Sequence, residues 1–286
     1  MKRKGLKNKA GFLAAPLTVF TLVFVLVPLV YIIVLSFLQR DVLWGVTNQF
    51  TLENYAKMLD ASYLKTFLDS FLLALATTVI CLLLGYPFGY FMAKLSPGWQ
   101  RVCLMLTVVP FWTSALIRIY GWMILLRSNG VLNTILLDLG LIDQPLKILY
   151  SYPAVLIGMV YSLLPFLILP VYTSVQKLDW ATVEAARDLG AGGFTAFCTV
   201  TLRQTLPGVL SGVVLVFVPS VGLFFLSDLL GGGKIMLVGN LIKNQLLTAR
   251  NWPFGAALSV VMMALTIVLI ALYRKAAGAK SLEGFV

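Results

Sequence analysis

The stretch DWATVEAARDLGAGGFTAF, residues 179–197, interrupts a chain that is otherwise largely lipid-soluble, and it carries Asp179, Glu184, Arg187 and Asp188. Its local chemistry specifies a short helix. Asp179 is an N-cap residue, Trp180–Leu189 forms the helix, and Gly190 suits the left-handed position that closes it. A segment this short falls below the ~12–15 residues at which an isolated helix is marginal in water, so it has to pack on something. Ala181, Ala185 and Leu189 recur at i, i+4 and i+8 as a narrow smooth face, with Glu184, Arg187 and Asp188 around it. Beyond Gly192 and Gly193, Phe194, Phe197 and Val200 open a second apolar stripe. The expected geometry is helix, sharp turn, helix at a membrane edge. Spacing alone leaves two readings open: a solvated surface hairpin, or a surface shaped for a partner.

The membrane edge follows from what surrounds the stretch. Of 286 residues, 60% are hydrophobic and only 12% charged, with a mean hydropathy of +0.94, outside the ordinary soluble range. Uncharged runs over 10–39, 70–93, 148–176, 204–227 and 251–273 each supply the ~20 apolar residues a spanning helix needs. A sixth, 102–126, contains one charge, Arg118. Six transmembrane helices place both termini on one side. The opening MKRKGLKNK imitates the charged end of a signal peptide, but its apolar run is about twice the usual ~7–15 residues and lacks a small-x-small cleavage site, so a retained span is expected. With the amino terminus inside, thirteen Lys and Arg residues fall on inner segments and eight on outer loops, which favours cytoplasmic termini. The expected organisation is a basic cytoplasmic N-terminus at 1–10, a six-span permease domain at 11–274 with a cytoplasmic loop at 177–206, and a cytoplasmic tail at 275–286.

The formal charge of +11 is then explained by topology and anionic lipid headgroups, with no nucleic-acid partner implied. Cys81, Cys103 and Cys198 fall in a span, at an inner edge and in an inner loop, so no external disulfide and no metal site is expected. There is no histidine, no C-x-x-C pair and no G-x-S-x-G elbow, which removes the commonest catalytic arrangements. GGGK at 231–234 fails as a phosphate loop, because Asp228 stands where its first glycine belongs and Ile235 where Ser or Thr should follow the lysine. If ATP drives this protein, another subunit binds it.

EAARDLGAG, residues 184–192, resembles the E-A-A-x-x-x-G motif in the cytoplasmic loop of permease subunits of binding-protein-dependent ABC importers, with Glu184, Ala185, Ala186 and Gly190 on the motif positions. The resemblance implies that this helix docks into a groove on an ATPase subunit and transmits its closure. One departure stands out: the family often continues with I-x-L-P, and here Val200 and Leu202 fit while Arg203 replaces the proline and Pro207 follows. PFWTSALIRIYGW (110–122), LLPFLILPVYTSVQKLD (163–179), GLFFLSDLLGGGK (222–234) and NWPFGAA (251–257) resemble the PotB-type permeases of spermidine and putrescine importers. That resemblance implies the all-helical type I ABC importer permease fold in a bacterial inner membrane. Its implied partners are an ABC ATPase homodimer that binds ATP and Mg, a second homologous permease, and a periplasmic or lipid-anchored polyamine-binding protein. It implies no cofactor in this chain.

The residues can be asked independently whether a polyamine makes sense. A charge at mid-bilayer costs ~2.5–3.5 kcal/mol on insertion scales, so Asp69, Arg118 and Asp228, all expected toward the outer face, are functional candidates. The structural reading is that Asp69 and Arg118 neutralise each other across neighbouring spans. That leaves Asp228, at the end of the fifth span, as the expected cation-selective point. Phe224 and Phe225 precede it by four and three residues, and a ring face attracts an ammonium by ~0.5–2 kcal/mol. Lys243 in the following outer loop is the expected resting partner of Asp228, and Trp112 and Tyr120 are weaker candidates for the path. Pro110, Pro165, Pro170, Pro207 and Pro219 are expected to break several spans. Three alternatives remain: an anion importer, for sulfate as an example, with Arg118 as ligand; a secondary transporter; and a non-transport scaffold in which Asp228 merely caps its span.

Overall fold

The computed structural model describes residues 16–41 and 45–277. The expected basic terminus at 1–10 and Lys280 lie outside the described residues. Lipid offers no hydrogen bonds to a backbone, so the apolar runs satisfy theirs internally as helices. Five helices are long and apolar enough to cross a membrane: α1 (Pro16–Ser36), α3 (Ala61–Lys94), α7 (Tyr152–Gln176), α9 (Gly193–Gly222) and α12, whose apolar part is Trp252–Tyr273. A hairpin of β1 (Leu38–Arg40) and β2 (Val46–Phe50), then α2 (Glu53–Lys57), follows α1.

The span expected at 102–126 is broken beside Pro110, one of the prolines expected to interrupt a span. Pro97–Trp112 and Ala115–Asp138 meet at 97°, so the sixth crossing exists only if this bent pair is counted as one. We call its parts α4 (Pro97–Val108), α5 (Ala115–Leu126) and α6 (Val131–Asp138). The cause is local. A 3₁₀ turn over Val109–Trp112 gives way to extended backbone at Thr113, whose amide and hydroxyl both donate to the Pro110 carbonyl, at 3.2 and 2.7 Å. The other prolines named above do not break their helices: Pro165 and Pro170 lie inside α7, and Pro207 and Pro219 inside α9.

Contacts gather the residues into two units. The first holds residues to Leu64 together with Leu241–Leu265. There the buried Asn54 side chain donates to the Ser36 and Leu38 carbonyls at 3.0 and 2.9 Å, which fixes how the chain leaves α1. Phe37 stacks on Phe50 across the hairpin at 5.3 Å.

The second unit holds Lys65–Asn240 and residues from Thr266 on. Its axis is α7, whose Leu163, Leu167, Val171 and Val175 are buried against Cys81 and Tyr86 of α3 and Val209 and Val216 of α9. The helices approach closely. A Cβ on Gly208 of α9 would collide with Ser174 and the Pro170 carbonyl of α7, so only glycine fits there. A second core joins Ala154, Val155 and Met159 of α7 to Ile119 and Leu126 of α5 and to Leu226 and Leu230 of α10 (Phe224–Gly231). Large apolar side chains such as Leu83, Ile117 and Leu106 stay exposed along these helices, as expected of surfaces that meet lipid or a membrane partner.

Candidate functional site

The loop between α7 and α9 carries α8 (Trp180–Asp188), capped at both ends by its own residues. Asp179 accepts from the Ala181 amide at 3.1 Å. At the other end Gly190 takes φ +90°. The Ala191 amide reaches the Ala186 carbonyl at 3.0 Å and the Gly190 amide the Arg187 carbonyl at 2.9 Å, the paired bonds of a Schellman closure. A π turn at Phe197–Thr201 lies within α9 without breaking it, so Arg203 stands in a continuous helix where the family pattern has proline.

The helix packs on a different face from the one its spacing indicated. Val183 is buried with Leu178 and Ala196, and Trp180, Ala186, Ala191 and Val200 pack around them. Ala181, Ala185 and Leu189 are exposed. The reason is that Trp180, Val183 and Ala186 form a second stripe at i, i+3 and i+6, with larger groups to bury than two alanines. Glu184 therefore stands on an open, smooth face. Leu189 and Phe194, 89% and 82% exposed, leave two further apolar side chains open in the same stretch of chain.

Asp228 does not end the fifth span as expected. That span stops at Gly222, Leu223 turns the chain, and Asp228 lies on the separate helix α10, which closes at Gly232 with φ +61°. Its half-buried carboxylate accepts a hydrogen bond from Asn240 Nδ2 at 2.6 Å. The same amide nitrogen donates to the Phe224 carbonyl at 3.0 Å, while Asn240 Oδ1 accepts from the Leu237 amide at 3.2 Å. Asn240, 3% exposed, is the residue the sequence reading missed. An uncharged polar residue inside the apolar run LVGNLIK (237–243) was the available signal, since buried amides need partners. Phe224 and Phe225 meet edge to face at 6.5 Å. Lys243 ends the helix that carries Asn240, α11 (Val238–Lys243).

Asp69 and Arg118 are not brought together. The Arg118 guanidinium lies instead 4.8 Å from the Phe111 ring and 5.9 Å from that of Tyr161. Arg118 Nε is buried and has no hydrogen-bond partner. It borders a cavity of about 460 Å³ lined by Phe88, Pro110, Phe111, Tyr161 and Pro165 among others. Trp112 sits at the break of the third span and Tyr120 on α5; both side chains are exposed. Among the described residues no cluster of His, Cys, Asp and Glu suits a metal ion, and Cys81, Cys103 and Cys198 are free thiols.

The structure is thus a set of helices long and apolar enough to cross a membrane, with a capped helix in one connecting loop. Residues 82–277 match the model of the family described as binding-protein-dependent transport system inner membrane component, and the chain belongs to that family. It is similar to the spermidine/putrescine transport system permease protein PotB of Haemophilus influenzae, 46% identical over 88% of each chain. The protein of the same name from Escherichia coli K12 is 47% identical over 88% of this chain and 92% of that one. The inner membrane ABC transporter permease protein YdcU of Escherichia coli K12 is 29% identical over 82% of this chain and 77% of that one. The fold is that of a bacterial ABC transporter involved in the import of the acidic polysaccharide alginate, with TM-score 0.73, 16% identity, and coverage of 96% of this chain and 98% of that one. A second crystal structure, of a bacterial alginate ABC transporter in complex with alginate pentasaccharide-bound periplasmic protein, gives TM-score 0.74 and 15% identity, covering 97% of each chain. The chain is thus an inner-membrane permease component with the type I ABC importer fold.

Proposed function

We propose that this chain forms one wall of the path by which an ATP-driven importer brings spermidine or putrescine across the inner membrane. The observation that carries the coupling half of this reading is α8: a helix locked by Asp179 and Gly190, buried through Val183, with Glu184, Ala181 and Ala185 left open. A helix that spends its apolar face on its own loop and still presents a smooth acidic face is built to meet something else. The partner on that face is an ABC ATPase homodimer that binds ATP and Mg. A second homologous permease completes the path, and a polyamine-binding protein delivers substrate on the outer side.

The substrate half rests on the names of the relatives and on Asp228. A polyamine leaving water at this point would exchange hydration for a carboxylate already oriented by Asn240 and for the neighbouring Phe224 and Phe225 rings. A second reading, import of an anion, is favoured by one observation, the unpartnered Arg118 Nε beside its cavity. Uptake by cells expressing the complete importer separates the two. Labelled spermidine is taken up, and excess putrescine suppresses the signal while sulfate leaves it unchanged. Suppression by sulfate, or sulfate uptake dependent on this chain, would replace the polyamine reading with the anion one.

A further inference from the structure

Residues Tyr86, Tyr90 and Lys94 follow one another at four-residue intervals down the last turns of α3, so they share one face. Both arms of the loop converge on that face. The Lys94 ammonium lies 4.4 Å from the centre of the Tyr90 ring and 4.7 Å from that of Trp180, the first residue of α8. Tyr90 meets Trp180 at 6.2 Å and Phe197 at 5.8 Å, both edge to face. Tyr86 meets Phe197 at 5.8 Å, and its hydroxyl pairs with Thr205 Oγ1 at 3.1 Å. Among the described residues Lys94 forms no ion pair; its charge is directed at two rings on two different elements. A lysine at an inner helix end also complements the helix dipole and the lipid surface, but neither role requires Trp180.

We propose that Lys94 is a positioning residue that joins the loop helix to α3, so that a displacement of α8 is passed to the second span. The inference rests on the reading that an ATPase docks on α8. A cation shared by two rings is favourable only while both keep their places, which makes it a joint and not merely an anchor. The far part of α3 makes the joint consequential. Without a break in the helix, Ser70 Oγ accepts the Val238 amide at 2.9 Å, and Val238 opens the helix whose Asn240 holds Asp228. Residues 70 and 94 are about 36 Å apart along a helix axis at 1.5 Å per residue, so one element connects the loop to the supports of the path carboxylate.

The test uses the intact importer in lipid vesicles, reading spermidine imported per ATP hydrolysed, together with retention of the ATPase. Lys94→Met lowers the ratio about tenfold with the ATPase still bound, the scale of losing two cation–π contacts, and Lys94→Arg stays within about twofold of the original. Trp180→Leu reproduces the Lys94→Met defect, and the double variant is no worse than either single one. Amide exchange over 180–190 in the same complex rises about tenfold in Lys94→Met and not in Lys94→Arg, and this arm does not depend on the identity of the substrate or on transport. The proposal is overturned by an unchanged ratio in Lys94→Met, by additive single effects, by loss of the ATPase that arginine does not restore, or by unchanged exchange. Failure of the docking reading is visible separately, as an unaltered complex that retains no ATPase.

Discussion

Asp228→Asn is expected to reduce spermidine uptake by about ten- to a hundredfold, the scale of a charged hydrogen bond to substrate lost from the path. The substitution isolates charge from structure. Asn240 Nδ2 donates to Asp228 Oδ1, and an asparagine oxygen still accepts from it, though more weakly than a carboxylate, so the link between α10 and α11 is kept. Asparagine is also a good residue near a helix end, which protects whatever capping role Asp228 has beside Gly232. The negative charge disappears while an acceptor for Asn240 remains. The check is initial uptake rate at matched amounts of chain in the membrane, with ATPase retention as the control for assembly. Uptake that persists would assign Asp228 to capping and remove it from the path.

The second large effect is expected at Gly190. Its φ of +90° lies where a β-branched residue is strained, while nothing stands within 4 Å of the position a Cβ would take. Gly190→Val therefore disturbs the turn itself, at about 1–3 kcal/mol of backbone strain, without disturbing any neighbour. That strain is enough to reshape the α8 terminus, and uptake falls more than about tenfold while the spans remain inserted. Glu184→Ala is the companion. Glu184 is exposed, so its removal costs the isolated chain little, and any loss of bound ATPase measures the partner's contact. Co-purification of the ATPase with each variant decides the matter. Wild-type association and uptake in both variants would refute docking on this helix.

These two sites also show which structural features the sequence makes legible. Caps are local, so Asp179 and Gly190 could be read directly, and their bonds appear in the structure as read. The packing face of α8 could not, because two stripes compete and the decision belongs to Leu178 and Ala196, which lie outside the helix. Apolar runs locate the spans because burial in lipid imposes their length. They cannot separate a proline that a helix absorbs from one at a break. Pro165 and Pro170 remain inside α7, whereas Pro110 ends its helix because Thr113 follows in extended conformation and caps the Pro110 carbonyl. The expected Asp69–Arg118 pair rests on charge alone, whereas Arg118 lies against the Phe111 and Tyr161 rings, neighbours that no one-dimensional pattern supplies. Asn240 escaped because counting charges in a membrane segment passes over an uncharged amide, although that amide donates to the Asp228 carboxylate.

The most direct measurement of the central claim is spermidine import by the purified four-component importer in sealed vesicles, with ATP supplied only to the side that carries the ATPase. Import that requires both hydrolysable ATP and this chain, and that stops when the ATPase is inactivated by substitution, is the expected result. Accumulation of spermidine driven by an ion gradient without ATP would show a secondary transporter and contradict the account.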